Sequence, residues 1–135
     1  MSLLNRLLEK PPVALTAASK YTALNGLIYL AVGALLILWP GVTQTLFREP
    51  PFVGHEEGLI RVIGLTVLVI GWLYVFGGRS GAPQIVAASV IDRLIFVPAV
   101  LIPVAMAGVF PHLLLTLAVC DVLLAIGAWI LFARS

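Results

Sequence analysis

Four apolar stretches, each about 20 residues long, alternate with short polar punctuation along this chain. The first covers about 21–39 and is closed by Pro40-Gly41. The second covers about 59–76 and ends at Gly77-Gly78-Arg79-Ser80-Gly81. The third covers about 84–109, and the fourth opens at Pro111, a favoured first helical position, and reaches about 132. The runs are continuous rather than alternating, so they predict helices and not barrel strands. The expected fold class is an all-α integral membrane protein, an antiparallel four-transmembrane-helix bundle with a short interfacial N-terminal helix. The second and third connections are short, which makes spans two, three and four antiparallel neighbours.

Two domains of unequal weight follow from this pattern. Residues 1–19 form a cytoplasmic amphipathic N-terminal segment, and residues 20–135 form the transmembrane domain. In the first, Leu3 to Lys10 has a leucine face and a charged face and reads as a helix on the membrane surface, stopped by Pro11-Pro12. A frayed tail is the alternative. The first span is too long an apolar core for a cleavable signal peptide and has no small-residue cleavage motif after it. The first loop, Pro40 to Gly58, is the longest and most polar; Phe47 and Phe52 flank Arg48-Glu49-Pro50-Pro51 and suggest a segment resting at the interface. Arg6, Lys10, Lys20, Arg79 and Arg134 fall on one side of the membrane and Arg48 on the other, so both termini are expected in the cytoplasm.

Composition strengthens the membrane reading. The chain has 135 residues, 61% of them hydrophobic and 10% charged, and a mean hydropathy of +1.14. A soluble domain of this size has no core large enough to hide that much apolar surface, so the lipid bilayer is the first partner. The net charge of +2 comes from scattered residues with no basic stripe, which excludes nucleic acid. The single cysteine, Cys120, reads as a small apolar packing residue.

Lipid removes the hydrophobic drive for helix association, so small residues must permit close backbone approach. They recur at heptad spacing: Gly26 and Gly33 in span one, Gly64 and Gly71 in span two, Ala118 and Ala125 in span four. Pro98 and Pro103 each remove a backbone donor from span three and crowd the carbonyls of Leu94 and Ala99, which predicts kinks there.

Against this background four embedded charges stand out: Arg61, Asp92, Arg93 and Asp121. Each costs roughly 2.5–3.5 kcal/mol at a helix centre. At about 1.5 Å per residue, Asp92 and Arg93 lie roughly 12–14 Å deep, and Asp121, entering from the opposite side, roughly 15 Å deep. The expected pair is Arg93 with Asp121. Asp92 then needs another partner, among Arg61, Tyr29, Thr66 and Thr116. Two acids and two bases balance, as a satisfied structural network requires; the same groups also suit a pocket for an ion, a proton or a hydrophobic small molecule. His55, Glu56, Glu57 and His112 form a second constellation of ligand-type residues, but their spacing fits no metal motif, and no metal site or cofactor is assigned. There is no phosphate loop, nucleophile elbow or cysteine motif, so no catalytic residue is assigned and the chain reads as non-catalytic.

Trp39-Pro40 after a span with Gly26 and Gly33, then Leu59-Ile60-Arg61-Val62-Ile63-Gly64 with Gly71, then Arg93 and Asp121, resemble the broad DoxX-like group of small bacterial four-helix membrane proteins. The resemblance implies a multi-pass protein of the bacterial inner membrane, and it transfers no reaction. The leading expectation is an accessory or assembly subunit, bound through its small-residue faces to other membrane subunits or to a second copy of itself. The alternatives are a small transporter or binder using Asp92, Arg93 and Asp121, and a membrane enzyme acting on a lipid-like substrate.

Overall fold

The structure is a computed structural model that describes residues 2–134. It is all-helical, with no strand among the described residues. Seven α-helices follow in order: α1 (Leu3–Leu7), α2 (Ala17–Leu38), α3 (Val42–Thr45), α4 (Glu56–Arg79), α5 (Pro83–Ile91), α6 (Val97–Met106) and α7 (Pro111–Ala133). A π-helical turn, Asp92–Phe96, joins α5 to α6 without a break. α2, α4, the continuous run Pro83–Met106, and α7 are each long and apolar enough to cross a membrane. Most of their large apolar side chains face outward, as lipid rather than water demands.

Capping explains where the spans begin and end. Thr16 accepts a hydrogen bond from Ser19 N at 3.1 Å, so α2 starts four residues before the apolar run does. α4 extends three residues beyond its apolar run at each end, with Glu56 and Glu57 at the positive end of its dipole and Arg79 at the negative end. α6 stops at Met106, three residues short of the expected boundary, and Gly108 turns the chain at φ 93°. In the N-terminal segment Ser2 caps α1, and Arg6 pairs with Glu9 at 3.0 Å, but the helix ends at Leu7, before Pro11-Pro12.

α2 and α4 are the tightest pair, and their glycines are the reason. A Cβ on Gly26 would lie 2.5 Å from Val75 N and 2.6 Å from Gly71 O; one on Gly33 would lie 2.5 Å from Leu68 N and 2.6 Å from Gly64 O. Gly78 extends the seam beyond the expected set, facing Ala23 N and Ser19 O, each at 2.6 Å. These glycines remove the side chains that would hold the two backbones apart. Ala118 and Ala125 are likewise buried, on α7. The small-residue stripes of spans one and two are therefore used up inside the chain and present no face to a second subunit.

α7 packs against α5, the π turn, α6 and α2. α4 meets α5 next to the turn that joins them, but the principal helix contacts do not include α4 with α6. Spans two and three are thus neighbours only near their connection, a narrower adjacency than the short loop predicts. Beyond it they part, leaving a wedge floored by α2 and α7.

The first loop closes the far end of the bundle. Phe47 and Phe52 pack against a core of Leu36, Val42, Ile60, Ala105, Phe110, Leu113 and Leu114. Glu49, 5% exposed, crosses from this loop to accept a hydrogen bond from Leu113 N at 2.8 Å, in the first turn of α7. A carboxylate there satisfies an orphan donor and meets the positive end of the helix dipole. Arg48 (φ 56°), next to Glu49, and Phe110 (φ 40°), the residue before α7, both adopt the left-handed conformation.

Candidate functional site

Pro98 shapes the site before any charge does. It has no N–H to offer, and a regular helix would press its ring against the Leu94 carbonyl. Instead the preceding turn widens: the N–H of Val97 reaches back five residues to Asp92 O. The expected kink thus takes the form of a π turn, and that turn contains both Asp92 and Arg93. Pro103 lies inside α6, which continues to Met106.

Arg93 is the largest fully buried side chain, at 1% exposed. Its Nε donates to Ser89 O at 3.0 Å, Nη2 to Ser89 Oγ at 3.3 Å, and Nη1 to Tyr29 Oη at 3.3 Å. Its guanidinium carbon lies 5.1 Å from the Tyr74 ring centre and 6.0 Å from that of Tyr29, within cation–π range. The two tyrosine rings meet edge to face at 5.6 Å. The Tyr74 hydroxyl donates to Asp92 Oδ2, and the Tyr29 hydroxyl faces Asp121. Tyrosines from α2 and α4 therefore stand between the arginine and the aspartates of the other two spans.

This arrangement corrects the expected pairing. Asp92, Arg93 and Asp121 share one site, but Arg93 makes no ion pair within 4.0 Å of either aspartate; among the described residues the ion pairs are Arg6–Glu9 and Glu57–Arg61. Similar depth put the residues at one height, while the distance across the bundle is filled by tyrosine. Asp92 takes Tyr74 as its partner, a residue the sequence reading did not single out. Its signal was present: a phenol inside an apolar span needs somewhere to donate its proton. Thr116 instead donates to His112 O at 2.7 Å and Thr66 to Ile63 O at 2.6 Å, each within its own helix.

Arg61 lies outside the cluster. It is exposed, donates to Ile37 O in the last turn of α2 at 2.9 Å, and pairs with Glu57 at 3.4 Å. Its charge thus serves a helix end. Cys120 is exposed rather than packed inward. His55 directly precedes α4, Glu56 accepts from Val53 N at 2.6 Å, and His112 lies in the first turn of α7. No three metal-ligating side chains gather among the described residues.

Around the polar cluster the wedge between α4 and α6 opens into a cavity of ≈ 330 Å³. Tyr29, Tyr74, Asp92, Arg93 and Asp121 form its polar end; Ile63, Val67, Val97, Leu101 and Leu117 are among its apolar walls, and the exposed Thr66 also lines it. A few convergent polar groups at the end of an apolar chamber of this size suit a small amphipathic molecule, with its head at the charges and its body along the walls. The chain matches no protein-family model, no curated protein and no solved structure.

Proposed function

We propose that this protein is a membrane-embedded binding protein for an amphipathic small molecule, held between spans two and three. One observation carries the reading: the ≈ 330 Å³ cavity whose apolar walls end in a single polar cluster. Buried charge is costly in lipid, and a purely structural network gains nothing from leaving a chamber beside it. The accessory-subunit reading loses one of its supports, because the glycine faces expected to meet a partner close the α2–α4 seam instead. The resemblance to DoxX-like proteins, and with it the bacterial inner membrane and cytoplasmic termini, is part of the same proposal, supported by the order of the short motifs and by the bias of basic residues. Transport and catalysis both begin with binding, and no further step is assigned.

The test is native mass spectrometry of the full chain released from its own membrane in mild detergent. The expected result is a defined small molecule on the chain, lost from Thr66→Trp, whose indole would block the cavity from an exposed position. A chain that carries no small molecule but keeps a stoichiometric larger partner would overturn the reading and restore the accessory role.

A further inference from the structure

We infer that the cavity selects a ligand with a cationic head. This rests on the binding reading above and adds the sign of the ligand's charge. The titratable and charged groups that line the cavity are Tyr29 from α2, Tyr74 from α4, Asp92 and Arg93 from the π turn, and Asp121 from α7. With Arg61 engaged by Glu57 and the Ile37 carbonyl, the balance of two acids and two bases does not hold at this site. With both carboxylates ionised, the form a bound cation favours, two of them face one guanidinium and one negative charge is left over.

Geometry widens that imbalance. Arg93 is 1% exposed, and each of its three nitrogens already donates, to Ser89 or Tyr29. It also lies beyond 4.0 Å from either carboxylate, so its compensation of them is partial. Asp92 and Asp121 line the cavity as Arg93 does, but they are half-buried where it is fully buried, which leaves them more open to an incoming head group. A monocation placed between them cancels the excess charge where water is scarce and charge interactions are strong. A neutral head leaves the excess in place, and an anionic head adds to it. The apolar walls require that the cation be carried on a hydrophobic body, which sets a lipophilic monocation apart from a simple metal ion.

Equilibrium dialysis of the purified full chain in mild detergent tests this with tetraphenylphosphonium, tetraphenylborate of nearly the same shape and opposite charge, and the smaller neutral triphenylphosphine oxide. Thr66→Trp serves as the reference for partition into the micelle. Above that reference, the expected order is the cation first, by about tenfold or more over either other probe, the equivalent of one modest charge interaction. Asp121→Asn removes the excess charge and should erase most of that preference; Asp92→Asn provides the same comparison should the first variant fold poorly. Equal or tighter binding of the borate or the oxide would overturn the cationic inference and leave the binding reading standing. Binding of none of the three above the Thr66→Trp reference would overturn both.

Discussion

The α2–α4 half of the bundle and the half built from α5, the π turn, α6 and α7 answer the same problem in opposite ways. Lipid gives neither half a hydrophobic drive to associate. The first removes side chains: Gly26 faces Gly71 and Gly33 faces Gly64, so that backbone meets backbone and no room remains. The second keeps side chains and polar groups, and widens a helical turn to aim two charges at a cavity. Tightness and chemistry are thus separated in space. The dry seam holds α2 and α4 in fixed relation, and in doing so fixes Tyr29 and Tyr74, the two rings that contact each other and Arg93 across the boundary between the halves.

Adding volume is the sharpest way to break the first half. In Gly33→Ala the new methyl would lie 2.5 Å from Leu68 N and 2.6 Å from Gly64 O, both backbone atoms that no side-chain rotation can clear. The helices must move apart, at a cost of about 1–3 kcal/mol. A clear fall in Tm in mild detergent is expected. Gly58→Ala is the internal control, since nothing lies within 4 Å of its added carbon; it should hold or raise Tm, by up to about 1 kcal/mol of helix propensity. Equal behaviour of the two variants would mean that the seam does not hold the fold.

Removing one oxygen tests the second half. Tyr74→Phe keeps the ring contacts with Tyr29 and Arg93 but takes away the donor to Asp92 Oδ2. Hydrogen bonds between membrane helices contribute about 0.6 kcal/mol on average and up to about 1.7 kcal/mol, so a smaller fall in Tm is expected than for Gly33→Ala. An unaltered Tm together with unaltered probe binding would show that Asp92 does not depend on Tyr74.

How much of this was legible beforehand follows from what each feature depends on. The spans were legible because hydropathy is a local sum, and their ends were missed by a few residues where caps such as Thr16, which hydropathy does not register, set them. The glycine stripes were legible as spacing, but spacing does not say whether a partner helix belongs to the same chain or to another. Asp92, Arg93 and Asp121 were found because charge in a span is rare and costly. Their partners were not, because helix depth fixes height and leaves lateral distance open. Pro98 announced a disturbance without revealing that it would take the form of a π turn. Glu49 and Leu113 are 64 positions apart, one in the first loop and the other in the first turn of α7, and neither carries a local sign of the contact between them.

Arg61 lies with both of its partners in the first half and gives the smallest expected effect. Charge counting places it in the cluster, whereas its contacts place it at the end of α2, with Ile37 O at 2.9 Å and Glu57 at 3.4 Å. The side chains of the Glu57–Arg61 pair are 60% and 50% exposed, which screens it wherever water reaches. Arg61→Gln should therefore alter stability by less than about 1 kcal/mol. Its effect on the cavity is the more informative readout. If the site's excess negative charge is set by Asp92, Asp121 and Arg93 alone, removing Arg61 leaves the preference for tetraphenylphosphonium over tetraphenylborate unchanged. A shift in that preference as large as the one caused by Asp121→Asn would place Arg61 back in the cluster's charge balance, restore neutrality to the site, and remove the reason for a cationic head.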